Sequence, residues 1–381
     1  MKNLFILYLI SILAFSCGNP SQKEVEKTFD DKVSEYLKKF PYQDSWDYSR
    51  IYTGGDPANF NRISGLSSPV LLKAGEDIVV RSNNDTYYTG GFLYLSDGPV
   101  KLSASFEDTT RFYSFQLMDN RNVNFHNIIQ PSGNYYLYFG EKPIDLEGTL
   151  IESPSLMVGV IIRVEVKDLN NLADMELAQK VYNGIDISGP VISEYPEGGF
   201  LDSLDESVAQ RANELMDSVI AHTPFRELVA APGMIPDQIS YLEHSAATKG
   251  AWGAPVAEHS TYQLIFHDTE GNPLEGRKGP YILTTEEPEV DAFWSVTVYD
   301  TERGGYFHPN ADNRYHINNT TAVRNQNGTI TFTFKTKCEE GDLNCLEVPE
   351  GQFDITARFY LPGEALISGK WNMPSPELNS K

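Results

Sequence analysis

Short apolar and aromatic segments, most of them ended by turn sequences, occur in two groups along the chain and restrict it to a β-rich fold. The first group covers 77–81, 86–95, 100–106, 111–118, 134–139 and 156–166, and the second covers 261–266, 281–284, 293–299, 329–335 and 352–360. The last segment alternates strictly, which predicts one inward and one outward face: Phe353, Ile355, Ala357 and Phe359 against Asp354, Thr356, Arg358 and Tyr360. Strands at this spacing without intervening helices predict antiparallel sandwiches, the second being a sandwich or a jelly roll.

Segments with helical periodicity lie before and between these two groups of strands. An amphipathic helix that docks on the main body is predicted over 24–40, followed by an ordered loop over 44–69. Three further helices are predicted. The first covers 168–182, the second begins with a capping box formed by Ser203 and Glu206, and the third covers about 236–248. The predicted organisation is a tether and docking helix at 17–43, an N-terminal β-sandwich at 44–167, a helical section at 168–252 and a C-terminal domain at 253–381.

The first residues have the pattern of an export signal. Lys2 precedes an apolar run that ends at Ser16, and Cys17 and Gly18 follow. This arrangement looks like the lipobox of bacterial lipoproteins, so we expect a signal peptide at 1–16 and lipidation of Cys17. The alternative is a plain signal peptide with a stray cysteine. The first reading predicts an exported, lipid-anchored bacterial lipoprotein of the outer membrane, facing the periplasm or the cell surface.

Export makes the remaining two cysteines informative. Cys338 and Cys345 flank a polar segment that contains Gly341, a natural turn residue. In an oxidising compartment such a pair can close a small loop, with two free thiols as the alternative. A metal site would need further Cys or His at ligand spacing, and none is adjacent.

The charge balance restricts the partners. The formal net charge of -23 argues against nucleic acid as a partner, because no excess of cations exists to displace counterions. Acidic sugars require a local basic cleft. The sequence contains no nucleophile elbow, no phosphate-binding loop, no dinucleotide fingerprint and no zincin motif. No cofactor and no complete metal signature is evident, and the sequence leaves a homo-oligomer open.

Several stretches resemble a pair of bacterial families, the domains of unknown function 1254 and 1214. Residues 81–88, 95–99 and 111–119 carry the first resemblance, and residues 291–300, 309–310, 313–315, 327–329 and 369–371 the second. The resemblance covers roughly residues 45–375 and implies an immunoglobulin-like sandwich, a helical insert and a C-terminal jelly roll. Some similar lipoproteins of marine polysaccharide-degrading bacteria act as dehydratases on uronate-ended oligosaccharides.

Such a dehydration needs a group that neutralises the substrate carboxylate, a base for the C5 proton and an acid for the departing C4 hydroxyl. Two clusters contain suitable side chains: Arg111, Tyr113, Asn124 and His126, and then His308, Asn310, Arg314, Tyr315 and His316. In the second cluster, Arg314 is predicted to bind the carboxylate and Tyr315 or His308 to take the proton. His126 is the predicted partner acid, and the other predicted substrate contacts are Asn124, Arg111, Tyr113 and Trp294.

Each of these residues also has an ordinary structural interpretation. Arg111 and Tyr113 suit the outer face of a strand, and a tryptophan such as Trp294 is more often core than sugar platform. The primary hypothesis is a dehydratase (a lyase) that acts on anionic oligosaccharides. The alternatives are a non-catalytic glycan-binding surface lipoprotein and a structural protein of the cell surface.

Overall fold

The computed structural model describes residues 27–65, 71–76, 81–201, 205–223 and 239–379. Within them, sixteen strands form four sheets, and five α-helices accompany the sheets. The mainly β architecture with a helical section between two sandwiches is therefore confirmed. Among the described helices, none is sufficiently long and apolar to cross a bilayer.

The N-terminal sandwich consists of two four-stranded sheets, in the orders β1-β7-β3-β4 and β6-β5-β2-β8. Alternate residues of both sheets fill one core, for example Leu102, Phe115 and Val160. The strands are β1 (Thr86–Tyr94), β2 (Val100–Ala104), β3 (Tyr113–Met118), β4 (Asn124–Ile129), β5 (Gly133–Tyr138), β6 (Thr149–Glu152), β7 (Met157–Glu165) and β8 (Ile185–Ser188).

The C-terminal sandwich also has two four-stranded sheets, in the orders β12-β11-β15-β9 and β14-β13-β10-β16. Trp294, Phe332 and Phe359 lie in its core, as the alternation in 352–360 predicts for the last of them. The strands are β9 (Ser260–Ile265), β10 (Tyr281–Thr285), β11 (Trp294–Asp300), β12 (His316–Asn318), β13 (Ile330–Lys335), β14 (Cys345–Glu347), β15 (Phe353–Tyr360) and β16 (Glu377–Leu378).

The described helices are α1 (Phe29–Thr53), α2 (Leu172–Asn183), α3 (Glu206–His222), α4 (Tyr241–Gly250) and the short α5 (Glu364–Ile367), which follows β15. Helix α2 contributes Ala178 and Val181 to the N-terminal core. Helix α1 packs with α3 and α4 through an apolar cluster that includes Leu37, Met216 and Ala246. A docking helix is thus confirmed, but the loop predicted to start at residue 44 is wrong, because α1 continues through Pro41 to Thr53. Packing of its second half against the N-terminal sandwich outweighs the hydrogen bond lost at proline.

Other local predictions differ from the structure. The capping box of α4 is Ser240 with Glu243, whereas α3 begins after Asp205, which makes no side-chain cap. Ser203 and the segment 77–80 lie outside the described residues, and Arg81 lies in a turn. Strands β4, β6, β8, β12, β14 and β16 were not predicted, since most are short and contain polar residues. Strand β8 pairs with β2, so the N-terminal sandwich includes residues of the section predicted as helical.

Cys338 and Cys345 form a disulfide whose Cα atoms are 6.0 Å apart. The bond closes the polar loop between β13 and β14, and the backbone N–H of Cys338 donates to a Glu347 carboxylate oxygen at 3.0 Å. The predicted pairing is confirmed.

The two sandwiches contact each other. Residues 81–85, which precede β1, contact side chains of β11 and β15, and Phe112 packs on Tyr360. Contacts across the boundary include an ion pair from Arg81 to Asp354 at 2.9 Å. The Ser295 hydroxyl donates to Asp85, and the Tyr299 hydroxyl donates to the Ser82 carbonyl. The interface is therefore polar at its centre, unlike the sandwich cores.

Candidate functional site

All eight residues of β15 are buried, although every second one is polar. Asp354, Thr356, Arg358 and Tyr360 are predicted to point outward from the C-terminal sandwich, and they do. However, this outward face lies against the N-terminal sandwich and not against solvent. The result is a buried polar layer between the two domains, which we call the interdomain polar layer.

Five side chains form the centre of this layer, and we call them the Tyr–Arg cluster: Tyr88, Arg163, Tyr262, Arg358 and Tyr360. The Asn83 amide holds two of the phenols together, because its Nδ2 donates to Tyr88 Oη at 3.3 Å and to Tyr360 Oη at 2.6 Å. The Arg163 guanidinium lies 5.4 Å from the centre of the Tyr88 ring. Arg358 and Tyr262 occupy directly opposite positions of β15 and β9. Residues from both sandwiches therefore converge.

The two guanidiniums of the cluster are bound by neutral groups. Arg163 donates to the Gln116 side chain and to the Gly253 carbonyl, the latter at 3.1 Å. Arg358 donates to Thr297 Oγ1, to the Arg81 carbonyl and to Tyr299 Oη at 2.7–3.0 Å. Among the described residues, no carboxylate lies within 4.0 Å of either guanidinium. Asp85 interacts electrostatically with Arg358 from farther away.

Unsatisfied polar atoms surround the cluster. Arg163 Nε, Asp85 Oδ1 and His316 Nδ1 are buried and have no hydrogen-bond partner in the part of the chain that the structure describes. Buried polar atoms are hydrogen-bonded in the great majority of cases. Such a group of exceptions in one layer indicates a place where a polar ligand completes the hydrogen bonds.

Burial controls the protonation of this layer. It raises the pKa of Tyr262, and it raises the pKa of Tyr360 well above the ordinary value. It also lowers the pKa of His316 and of His259. At neutral pH these phenols are therefore protonated and these imidazoles neutral, so the boundary between the domains contains both proton donors and proton acceptors.

Aromatic side chains connect the cluster to the surface. Tyr88 and Tyr262 are partly exposed, whereas Arg358 and Tyr360 are fully buried. Tyr52 of α1 lies close enough to Arg163 and Tyr88 to interact with them electrostatically. Beside it, the partly buried rings of Tyr48 and Trp252 stack at 3.9 Å between centroids. These rings form an aromatic rim.

In the loop that carries Arg314, Tyr315 and His308, Tyr315 is the most buried of the three side chains. Tyr315 is only 3% exposed, stacks on Phe307 at 4.5 Å, accepts a hydrogen bond from the Ala74 N–H and donates to Asn313 Oδ1. Arg314 and His308 are partly buried at different points of the loop, and Asn310 braces it through hydrogen bonds. The next residue, His316, instead points into the interdomain polar layer, because side chains alternate along β12.

The side chains predicted near β3 have structural positions as well. Arg111 is 1% exposed and is bound by Asp108 and Asp174, so its charge is already compensated. Tyr113 belongs to the N-terminal core and Trp294 to the C-terminal core, where Trp294 Nε1 donates to Glu287 at 3.3 Å. These surroundings are structural, and the role of the three residues as substrate contacts stays a prediction.

The remaining predicted residues lie on β4. Asn124 exchanges hydrogen bonds with Asn127 at 2.8 and 3.3 Å, which leaves little capacity for a sugar. His126 is exposed and lies close enough to His259 of the other sandwich for the two imidazoles to interact electrostatically. His126 thus lies near the domain boundary, and its role as the partner acid stays a prediction. Cys17 lies outside the described residues.

The sequence contained a signal for the Tyr–Arg cluster. Residues 81–88 carry one part of the family resemblance, and Arg358 and Tyr360 stand in the polar phase of a strongly alternating strand. A strand face that carries an arginine is equally compatible with exposure to solvent, so the burial of this face of β15 was not predictable.

The fold and the polar layer define a two-sandwich protein with a basic, tyrosine-rich cluster at the domain boundary. Residues 66–189 match the family described as protein of unknown function DUF1254, and residues 259–364 match the one described as DUF1214. The chain therefore belongs to the proteins that combine these two families. The predicted resemblance is confirmed.

A solved structure shows the same fold. The VPA0106 protein from Vibrio parahaemolyticus is similar with a TM-score of 0.74 and 18% identity, over 92% of this chain and 100% of that one. A putative uncharacterized protein from Burkholderia cenocepacia aligns at a TM-score of 0.46 and 10% identity, over 90% and 89% of the two chains. The comparison with curated proteins gave no match.

Proposed function

We propose that this protein is a dehydratase, a carbon–oxygen lyase that removes water from the terminal uronic acid of anionic oligosaccharides. The observation that supports the proposal is the pair of buried guanidiniums, Arg163 and Arg358, without a carboxylate partner among the described residues. A buried cation is costly unless it is paired, and the carboxylate of a bound uronate would supply the missing charge. The strong negative charge of the whole chain makes such a local basic site necessary for an anionic substrate.

The chemistry of the reaction matches the side chains present. Binding of the uronate carboxylate by the two arginines acidifies the adjacent C5–H bond. A neutral imidazole, which we assign to His259, takes the C5 proton, and the C5–H electron pair forms the C4=C5 double bond. The C4–O bond breaks, and a phenol, which we assign to Tyr262, protonates the departing hydroxyl to give water. The aromatic rim provides stacking surfaces for the rest of the oligosaccharide.

The same proposal includes the location of the protein. We infer from the residues before Cys17 that the mature chain is exported and anchored by lipid at that cysteine. A disulfide between Cys338 and Cys345 supports an oxidising compartment, because such bonds rarely persist in the cytosol.

Ultraviolet absorbance tests the reaction, because dehydration produces a conjugated enol-ether carboxylate. The wild type is incubated with oligosaccharides ending in glucuronate, iduronate or galacturonate, and the Arg163→Lys and Arg358→Lys variants are compared with it. Lysine keeps the charge but not the two-pronged geometry, so each variant should lose at least about tenfold in kcat/KM. Arg211→Lys on the exposed face of α3 is the matched control and should behave as the wild type.

Two outcomes contradict the proposal. Binding of these oligosaccharides without a chromophore would instead support a non-catalytic glycan-binding protein, for which the aromatic rim is suited. Turnover unaffected by both arginine substitutions would exclude the Tyr–Arg cluster as the site of the reaction.

A further inference from the structure

A cavity of about 270 Å³ lies at another point of the domain boundary. Residues at the ends of strands line it from both sandwiches: Glu165 ends β7, Asn319 follows β12, and Leu361 follows β15. Phe112 also lines it and contacts Tyr360 of the Tyr–Arg cluster, with ring centroids 5.2 Å apart. The cavity is thus a neighbour of the cluster, but its lining is different.

Two hydrogen-bond acceptors in the lining lack donors. The Glu165 side chain is 4% exposed, and its Oε2 accepts a hydrogen bond from the Phe112 N–H at 2.8 Å. Its other oxygen, Oε1, receives no hydrogen bond from any described residue. Asn319 Oδ1 is buried and also has no partner within the described part of the chain. A ligand that satisfies both atoms must itself be a hydrogen-bond donor.

The charges in the lining argue against an ionic ligand. Arg111 is occupied by Asp108 and Asp174, and the Lys167 ammonium donates to the carbonyl and the hydroxyl of Thr110. The charge of Arg111 is therefore compensated, and the lining also contains two carboxyl groups, Glu165 and Asp291, so it has no excess of positive charge for an anion. Burial raises the pKa of Glu165 to about 7, which makes this carboxyl a weak partner for a cation as well. A neutral donor fits best.

The size and the apolar part of the lining specify the ligand further. Phe112, Ile129, Ala292 and Leu361 give the cavity an apolar wall beside its polar groups. Cavities for drug-sized ligands begin at about 300 Å³, so this one suits a single small ring. A sugar ring has hydroxyl donors at its edge and an apolar C–H face, and this matches both parts of the lining.

We propose that this cavity is a binding site for one neutral sugar ring, whose hydroxyls donate hydrogen bonds to Glu165 and Asn319. The site does not depend on the proposed lyase reaction, since it uses neither arginine of the Tyr–Arg cluster. It gives the protein a second glycan contact that carries no charge.

Saturation-transfer NMR tests this site with methyl β-D-glucopyranoside and methyl β-D-galactopyranoside as probes. Both lack a carboxylate, so a failure here leaves the proposed uronate site untouched. The wild type should show saturation transfer from at least one of the two glycosides, and Ala292→Phe, which fills the cavity, should abolish it. Glu165→Met removes the acceptor at similar volume and should weaken binding about tenfold.

Further variants keep the test decisive. Thr320→Trp obstructs the cavity from an exposed position and should abolish binding even if Ala292→Phe does not fold. Thr284→Val on exposed β10 is the control and should bind as the wild type does. Unchanged saturation transfer in both obstructing variants, or no transfer from either glycoside to the wild type, would refute the sugar site.

Discussion

Arg163 and Glu165 are separated by one residue on the same face of β7, yet they experience opposite surroundings. Arg163 lies among phenols and carbonyls, whereas Glu165 is buried at a cavity wall. Their positions follow from the alternation of the strand, which directs Val164 between them into the apolar core. Burying two polar side chains on one strand lowers the stability of the folded protein, so a binding role accounts for their presence better than a stabilising role does.

Glu165→Gln tests the burial of this carboxyl through the pH dependence of stability. The pKa of Glu165 is raised from 4.5 to about 7, so the folded state retains a proton that the unfolded state releases. Stability therefore falls as the pH rises from 4.5 to about 7. The variant lacks this loss, and its advantage over the wild type should grow by up to about 3 kcal/mol between pH 4.5 and about pH 8.

Urea denaturation of both proteins at the two pH values measures this difference. Asp44, whose pKa burial also raises to about 7, titrates in both proteins and cancels in the comparison. Lys167, Arg111 and Asp85 interact electrostatically with Glu165 in the wild type and are retained in the variant. A constant difference between variant and wild type would show that Glu165 is ionised normally.

The Tyr315→Phe variant distinguishes the site predicted from the sequence, in the loop with Arg314 and Tyr315, from the Tyr–Arg cluster. Tyr315 Oη accepts from the Ala74 N–H and donates to Asn313, so its removal leaves a backbone donor without its partner. We expect the free energy of unfolding to fall by about 1–2 kcal/mol while kcat on a uronate-ended substrate stays within about twofold. A large loss of kcat with unchanged stability would restore Tyr315 as a proton-transfer group.

At the scale of elements, β15 organises the C-terminal sandwich and the domain boundary together. Its apolar phase fills the sandwich core with Phe353, Ile355, Ala357 and Phe359, and its polar phase forms the interdomain polar layer. The strand lies between β11 and β9 in the sheet, and the sandwich core covers one of its faces while the N-terminal sandwich covers the other, so neither face reaches solvent. One alternating segment thus specifies both a hydrophobic core and a candidate site.

The loop between β13 and β14 provides a prediction about the disulfide. Replacing both Cys338 and Cys345 with serine should lower the free energy of unfolding by about 2 kcal/mol, because the short cross-link no longer restricts the unfolded chain. Urea denaturation with and without a reductant measures the effect. The reductant should destabilise the wild type by a similar amount and leave the double variant unchanged; an equal response of both proteins would contradict the bond's contribution.

At the scale of the whole molecule, the two sandwiches have separate cores and share a polar boundary. The Arg81–Asp354 ion pair, the Asp85–Ser295 hydrogen bond and the Asn83–Tyr360 hydrogen bond all cross it. Their directional geometry fixes the relative orientation of the domains more sharply than apolar contacts would. The Tyr–Arg cluster therefore exists only when both domains are in place.

Anchoring is a property of the whole protein in its cell. Cys17→Ser should abolish lipid incorporation and release the protein from the membrane fraction, because a serine cannot form the thioether. Metabolic labelling with a fatty acid, followed by membrane fractionation, measures this. Ser16→Ala retains a small residue before the cysteine and should remain anchored. Membrane association of Cys17→Ser at the wild-type level would contradict the lipoprotein hypothesis.

Features that depend on nearby residues could be predicted from the sequence alone: most longer strands, the helices between the sandwiches, the disulfide and the family resemblance. These depend on periodicity, turn residues and cysteine spacing, which are local properties of the chain. Helix α1 beyond Pro41 and short strands such as β8 were not predictable, because packing partners distant in sequence stabilise them.

The candidate site was decided by tertiary structure. Arg314, Tyr315 and His308 were predicted as a site because they lie close together in one loop of the sequence. Residues that are close in sequence need not direct their side chains to the same place. Tyr88, Arg163, Tyr262 and Arg358 come from four strands that lie far apart in the chain, and the packing of two sheets brings them together. Alternation reveals that a strand has a polar face, whereas only the docking of the second domain determines whether that face meets water or encloses a site.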